Sequence, residues 1–264
     1  MLKNLLLIPT FLLFSLGLFA DSVLKIGATA VPHAEILEQI KGDLKQQGID
    51  LKIIIFQDYI LPNIALNKGD IDVNYFIHKV NFDDQVKRYK YNNFVAVLPV
   101  HIEPMGIYSK VYKNVTDVKN GATVLLGNSI ADRGRSLKLL ETAGLIKLNP
   151  NVDNLSLDLA DITSNPKNLK FLPFVEAAML PRFYNNNEAD LILINTNFAL
   201  ENGLNPKRDA IFVENSDSPY ANVVITTKDK VNDPRIVALV NALKSKKIHD
   251  FIMTKYEGAI VPVN

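Results

Sequence analysis

Arg135 is the charged residue whose sequence context most strongly indicates a binding site. It follows the apolar run 122–126 and a short polar loop, in a segment whose pattern predicts a helix from about Arg133. A strand, a polar loop and a helix N-terminus that carries a guanidinium can form a binding site for an anion such as a carboxylate. The alternative is a solvated surface arginine, as we expect for Arg133 itself.

Other residue types complete what a small amino acid needs from a site. Amides can hold its polar groups, and three asparagines lie where predicted strands begin or end: Asn195, Asn197 and Asn222. Aromatic rings can line a pocket for its side chain, and the candidates for that role are Tyr59, Tyr75 and Phe76. His78 follows the aromatic pair and would lie at the mouth of a cleft. The alternatives are turn asparagines and core aromatics.

Histidines and carboxylates also permit a metal site. His33, His78 and His101, with Glu35 and Glu103, are residue types that bind zinc. Sequence spacing alone does not bring them together, so structural histidines are the alternative. A zinc carrier that uses His78 and His101 therefore stays open as an alternative function.

Motifs of catalysis are missing from the sequence. It contains no G-x-S-x-G elbow, phosphate loop, dinucleotide fingerprint or H-E-x-x-H helix, and it contains no cysteine. We therefore expect a binding protein, not an enzyme, and no cofactor.

The beginning of the chain has the pattern of a secretory signal peptide. Lys3 is followed by apolar residues from Leu5 to Phe19 and by Ala20, which predicts a signal peptide over 1–20 with cleavage near Ala20. A retained membrane anchor is the alternative. Without this segment the chain has 28 basic and 28 acidic residues, so we expect no nucleic-acid partner.

The remainder alternates between strand and helix patterns, which predicts an α/β fold. The predicted strands cover residues 23–28, 52–56, 71–76, 94–100, 122–126, 169–172, 189–194 and 223–227. The predicted helices start near Pro32, Pro62 and Arg133 and cover 175–184 and 234–251.

Two segments echo each other, since 67–74 and 186–193 each combine a helix end, an acidic turn and an apolar strand. Ligands of α/β sheets bind beyond the carboxyl ends of the strands. Two facing lobes would therefore form a cleft that closes about a hinge.

Several longer segments resemble one known family. The segments are residues 31–37, 101–109, 134–137, 144–148, 165–170 and 218–222, and they occur in order between about residues 24 and 262. The chain resembles the NlpA-type methionine-binding lipoproteins, and 101–109 (HIEPMGIYS) is the most specific match.

The resemblance implies a periplasmic binding protein fold of type II, with two α/β lobes joined by a two-crossing hinge. We expect lobe 1 at 23–104, completed by 226–264, and lobe 2 at 105–225. The implied ligand is L-methionine, or a close relative such as D-methionine or a methionyl dipeptide, and the implied partner is a membrane ABC permease. A different amino acid remains an alternative. We expect a monomer.

The resemblance also implies roles for individual residues. Arg135 would hold the ligand carboxylate. The thioether would be surrounded by the first-lobe residues Tyr59, Tyr75, Phe76 and His78. The amino-acid backbone would be held by Asn195, Asn197 and Asn222.

Two departures from the family pattern affect these expectations. The lipobox cysteine is absent, which predicts a free periplasmic protein without a lipid anchor. The loop that commonly reads NDPTN in the family reads NSIAD over residues 128–132.

Overall fold

In the computed structural model, which describes residues 22–217 and 219–263, the chain folds around two main β-sheets. The strands are β1 (Ser22–Ala28), β2 (Ile49–Ile55), β3 (Val73–His78), β4 (Phe94–Ile102), β5 (Gly106–Tyr108), β6 (Thr123–Leu125), β7 (Lys147–Leu148), β8 (Ile162–Ser164), β9 (Lys170–Phe171), β10 (Leu191–Ile194), β11 (Phe212–Val213), β12 (Ala221–Thr227) and β13 (Val261–Pro262). The α-helices are α1 (Glu35–Lys45), α2 (Leu61–Lys68), α3 (Lys79–Tyr89), α4 (Ile130–Thr142), α5 (Leu180–Asn185), α6 (Thr196–Glu201), α7 (Pro206–Asp209), α8 (Pro234–Leu243) and α9 (Lys246–Tyr256).

The larger sheet has six strands in the order β13-β4-β12-β3-β1-β2. Its β1 pairs in parallel with β2 and β3, whereas β12 runs antiparallel to β3 and β4. All six residues of β3 are buried, as expected for a central strand that is covered on both faces. Helices α1, α8 and α9 contribute buried apolar residues to the core that covers one face of this sheet.

The smaller sheet has five strands in the order β11-β5-β10-β6-β9. Its central strand β10 is fully buried, and it pairs in parallel with β6 and antiparallel with β5. Helix α4 packs against this sheet through Leu137, Leu139 and Leu140. A separate two-stranded pair is formed by β7 and β8.

The chain passes between the two sheets twice. The first crossing, 103–105, joins β4 to β5, and the second crossing, 214–220, joins β11 to β12. The sequence-based boundary had left residues up to 225 with the second lobe. Strand β12 nevertheless belongs to the larger sheet, because it forms ladders with β3 and β4.

Several helical segments differ from the sequence-based prediction, which did not include α3, α6 or α7. Helix α3 was not predicted, because Lys79–Tyr89 is mostly polar and buries only Asn81, Phe82 and Gln85. The predicted helix 234–251 is two helices, since Ser245 has an extended backbone and caps α9. The predicted signal peptide, 1–20, lies outside the described residues.

Candidate functional site

A cavity of about 320 Å³ lies where residues of the two sheets face each other. The lining residues are Tyr59, Phe76, Ile77, His78, Asn81, Glu103, Asp132, Arg135, Asn195, Thr196, Asn197 and Asn222. A second, wider cavity of about 790 Å³ shares Tyr59 and Asn81 with it.

Helix starts and strand ends supply most of the cavity lining. His78 is the last residue of β3 and the N-cap of α3, and Asn195 is the N-cap of α6. Arg135 lies in α4, which begins at Ile130, so the arginine falls in the second turn of that helix. Carboxyl ends of strands and N-termini of helices are the usual edge at which α/β sheets bind ligands.

Tyr75 is the one predicted site residue that does not line the cavity. Successive side chains of a strand point to opposite faces, so Phe76 and His78 share one face of β3 and Tyr75 points to the other. Tyr75 packs in the core with α1, and its hydroxyl is hydrogen-bonded to His101. Tyr75 is therefore the predicted site residue that the structure does not bring to this cavity.

The guanidinium of Arg135 is almost completely buried and already has partners within the chain. Its Nη2 lies 2.5 Å from Glu214 Oε2, and its Nε lies 3.1 Å from Glu214 Oε1. Nη2 also donates to the carbonyl of Glu103 at 2.6 Å. The guanidinium further lies over the Tyr220 ring, 4.3 Å from its centroid. Burial alone would lower the pKa of Arg135, but the charge of Glu214 raises it above its usual value.

Gly134 allows α4 to approach a neighbouring loop. A Cβ atom at this position would lie 1.8 Å from the backbone oxygen of Asn154, which is far inside contact distance. The glycine before Arg135 is therefore a requirement of packing. It fixes the position from which the arginine reaches the cavity.

His78 and Asp132 form a buried pair at the cavity. Nδ1 of His78 accepts the backbone N–H of Asn81 at 3.0 Å, so the ring proton lies on Nε2 and is donated to Asp132 Oδ1 at 3.1 Å. Burial alone would raise the pKa of the Asp132 carboxyl. The hydrogen bond from His78, together with the nearby charge of Arg135, lowers it below the usual value.

Tyr59 connects the two sides of the cavity. Its hydroxyl donates to Oδ1 of Asn197 at 2.6 Å, and its ring lies 5.2 Å from that of Phe198. Asn197 and Phe198 belong to α6, which follows the central strand of the smaller sheet. This hydrogen bond therefore spans the cleft.

A second buried network lies behind the cavity around Glu103. Nε2 of His101 donates to Oε1 of Glu103 at 2.8 Å. Nε2 of His33 donates to Oδ1 of Asn222 at 3.2 Å and lies 3.3 Å from Oε1 of Glu103. Their Nδ1 atoms are bonded to the hydroxyls of Tyr75 and Thr29, respectively. Burial lowers the pKa of His33 to about 4 and that of His101 to about 3, and it raises the pKa of Glu103.

The same network is the group of possible metal ligands among the described residues. The ligand atoms of His33, His101 and Glu103 lie within 4.8 Å of one another. His78 is not part of this group and is paired with Asp132 instead. The zinc alternative that combined His78 with His101 therefore does not match the geometry. Hydrogen bonds account for all four ring nitrogens of His33 and His101.

Comparison with known proteins identifies the family. The family model described as NlpA lipoprotein matches residues 24–264. The chain belongs to the NlpA lipoprotein family.

Individual members of the NlpA lipoprotein family are similar over nearly the whole chain. The methionine-binding lipoprotein MetQ of Bacillus subtilis is 43% identical over 240 residues, which is 90% of this chain and 87% of the relative. The D-methionine-binding lipoprotein MetQ of Salmonella typhi is 38% identical, with 90% and 87% covered. A nutrient-binding protein from Burkholderia cenocepacia, solved bound to methionine, has a TM-score of 0.86 at 36% identity and covers 91% of this chain and 100% of its own.

The comparisons confirm the predicted family and the predicted fold. The chain has the two-lobed α/β architecture of a periplasmic binding protein, as its structural neighbours do. The expectation of a protein without a lipid anchor is wrong, because the family and its members are named lipoproteins. Within the described ranges, no helix is long and apolar enough to span a bilayer.

Sequence reasoning missed several residues of the cavity. Ile77, Asn81, Asp132 and Thr196 line it without having been named as ligand-binding candidates, and Glu103 was considered only as a metal ligand. Asn81 lies in the unpredicted helix α3. Asp132 lies three residues before Arg135, directly before the predicted helix, and this spacing was the available signal for a second charged residue at the cavity.

Proposed function

We propose that this chain is a solute-binding protein that captures methionine, or a closely related amino acid or methionyl dipeptide, and delivers it to an ABC importer. The observation that carries the proposal is the composition of one cavity. Seven of the residues expected to contact such a ligand line it together: Tyr59, Phe76, His78, Arg135, Asn195, Asn197 and Asn222. The relatives named for methionine binding support the choice of ligand.

The carboxylate of the ligand would bind at Arg135. Glu214 and the Glu103 carbonyl accept hydrogen bonds from Nε and Nη2, and no hydrogen bond of Nη1 is found among the described residues. We assign Nη1 to the ligand carboxylate. The side-chain amide of Asn197 is a second donor, since its Nδ2 is buried without a partner while its Oδ1 is held by Tyr59.

The apolar part of the ligand would pack against Tyr59, Phe76 and Ile77. A thioether is polarizable and makes favourable contacts with aromatic rings. Burial of this group supplies the hydrophobic part of the binding free energy. The absence of catalytic motifs and the family's naming are consistent with binding and release rather than turnover.

We propose a division into lobes that follows the sheets. The first lobe contains residues 22–102 and 221–263, and the second contains 106–213. The crossings 103–105 and 214–220 form the hinge. Closure over the ligand would present both lobes together to the permease. We further propose that the protein acts as a monomer. We also propose that it has no nucleic-acid partner, since its basic and acidic residues are nearly equal in number.

A thermal-shift panel of amino acids and dipeptides tests this function. Because a ligand that binds only the folded state stabilises it, methionine at 100 times its Kd should add about 2.7 kcal/mol. Arg135→Ala should abolish the shift, whereas Arg133→Ala, at the neighbouring arginine outside the cavity lining, should preserve it. A shift with another solute and none with methionine would refute the ligand. An undiminished shift in Arg135→Ala would refute the carboxylate anchor.

A further inference from the structure

Two buried side-chain atoms that line the cavity have no hydrogen-bond partner. They are Oδ2 of Asp132, which is an acceptor, and Nδ2 of Asn197, which is a donor. Other unpartnered atoms among the described residues belong to residues that do not line this cavity: Asn74, Tyr108, Arg133, Thr227 and Ser245. Buried polar atoms without partners cost free energy, so their concentration at one cavity indicates that a ligand satisfies them.

Two carboxylates line the cavity, and only one of them has a buried oxygen without a hydrogen-bond partner. Glu103 receives hydrogen bonds from His101 and from the backbone N–H of Asn197, and Nε2 of His33 lies 3.3 Å from its Oε1. Asp132 uses Oδ1 for His78 and leaves Oδ2 unpartnered. The carboxylate oxygen of this cavity that lacks a hydrogen-bond donor is therefore Oδ2 of Asp132.

His78 also fixes the direction of that oxygen. Its ring is held by the Asn81 N–H on one side and donates to Asp132 on the other. Asp132 is 2% exposed and lies in the first turn of α4, where Ser129 caps the helix. A carboxylate held in this way cannot turn Oδ2 toward water without breaking the bond to His78.

We propose that Oδ2 of Asp132 accepts a hydrogen bond from the positively charged ammonium group of the ligand, so that Asp132 selects ligands with a free α-ammonium. This inference rests on the proposed function and deepens it. A cation satisfies both the unmet acceptor and the buried negative charge, whereas a neutral donor satisfies only the former. A ligand that carries a hydroxyl in place of the ammonium should therefore bind much more weakly.

A two-by-two titration tests the role of Asp132. The ligands are L-methionine and its α-hydroxy analogue, in which a hydroxyl replaces the ammonium, and the proteins are the parent and Asp132→Asn. A charge-assisted hydrogen bond corresponds to roughly 10- to 100-fold in affinity. The parent should prefer methionine by about this factor. In Asp132→Asn the affinity for methionine should fall by about this factor, and the affinity for the analogue should fall much less. The variant should therefore lose most of the parent's preference for methionine.

Controls separate the inference from its alternatives. Asp250→Asn removes an exposed carboxylate outside the cavity lining and should leave both affinities unchanged. Asp132→Ser supplies a smaller neutral side chain if the asparagine variant does not fold. Equal losses for both ligands in the Asp132 variants would show that the residue acts only by holding His78, and would overturn the inference. So would a parent that binds both ligands equally. If the parent binds neither ligand but binds another amino acid, the methionine assignment is refuted and the role of Asp132 is not. The same titration is then repeated with that amino acid and its α-hydroxy analogue.

Discussion

Arg135 and Glu214 form a bidentate ion pair, with Nη2 2.5 Å from Oε2 and Nε 3.1 Å from Oε1, at the point where the chain returns from the smaller sheet to the larger one. The same guanidinium holds the Glu103 carbonyl in the first crossing. Met105 and Glu214 also join the two crossings through a backbone hydrogen bond of 2.9 Å. The residue proposed to hold the ligand carboxylate is therefore bound to both hinge segments.

Removal of the Glu214 charge should weaken both stability and binding. In Glu214→Gln, a buried guanidinium loses its counter-charge, which typically costs about 3 kcal/mol or more. Urea denaturation should show this loss in the free energy of unfolding. Methionine affinity should also fall, because the amide no longer fixes the guanidinium.

Asp158→Asn is the matched control, since Asp158 pairs with Arg133 and its side chain is half exposed. An exposed pair contributes little, so the loss should stay below about 1 kcal/mol. Equal stability losses in the two variants would contradict the assigned role of Glu214.

Gly134→Ala should displace α4 and the arginine that it carries. The added Cβ would collide with the Asn154 carbonyl, and overpacking against backbone typically costs about 1–3 kcal/mol. Denaturation should report the destabilisation, and titration calorimetry should report weaker methionine binding.

Gly42→Ala is the control for this substitution. Gly42 lies inside α1, and a Cβ there meets no atom within 4 Å. It should stabilise the protein by about 0.5–1 kcal/mol, because alanine favours a helix interior over glycine. A stable Gly134→Ala variant with parental affinity would show that the close approach to Asn154 is unimportant.

Tyr59→Phe should weaken ligand binding with little effect on folding. The change removes the hydroxyl that donates to Asn197 across the cleft and leaves the ring in place. One neutral hydrogen bond contributes about 1 kcal/mol, which predicts roughly fivefold weaker methionine binding by calorimetry. Tyr91→Phe, at a ring that stacks on Phe94 away from the cavity lining, should bind as the parent does. An unchanged Kd in Tyr59→Phe would argue against this bond as a closure contact.

Acidification should destabilise the protein through His33 and His101. Burial holds their pKa values at about 4 and about 3, whereas an unfolded histidine titrates near 6.5. As the pH falls from about 6.5 to 4, the unfolded chain takes up protons that the folded chain does not. Stability should therefore decrease toward acid, by up to about 1.4 kcal/mol per pH unit for each histidine. The raised pKa of Glu103 acts in the opposite direction and reduces the loss.

Denaturation curves between pH 4.5 and 8 measure this dependence. His33→Asn should remove the contribution of one proton from the slope. His249→Asn removes an exposed histidine that is not part of the network, so it should keep the parental slope. A slope that is identical in the parent and in His33→Asn would contradict the neutral, buried state of His33.

The sequence predicted those features that depend on local pattern. Apolar runs located most strands of both sheets, but not the short strands β5, β11 and β13. The placement of Arg135 and Asn197 beyond a predicted strand located two residues of the cavity. The choice between Tyr75 and Phe76 could not be made, because β3 is buried on both faces and either aromatic residue suits either side. The alternation of side chains along β3 shows which of the two lines the cavity only when the face of the strand that points to the cavity is known.

Contacts between distant residues were also beyond sequence reasoning. Glu214 meets Arg135 across 79 positions, and His78 meets Asp132 across 54. Helix α3 escaped prediction because its few buried residues give no clear apolar period. Such features arise from the packing of the two lobes, and a short stretch of sequence carries no information about contacts between distant residues.

Titration calorimetry of L-methionine shows whether this cavity binds methionine, using protein that has been unfolded, dialysed and refolded to remove any bound solute. We expect one site per chain, with a negative heat-capacity change from apolar burial, and loss of binding in Arg135→Ala but not in Arg133→Ala. A correctly refolded parent that binds another amino acid at this site and gives no binding heat with methionine at several temperatures would contradict this expectation.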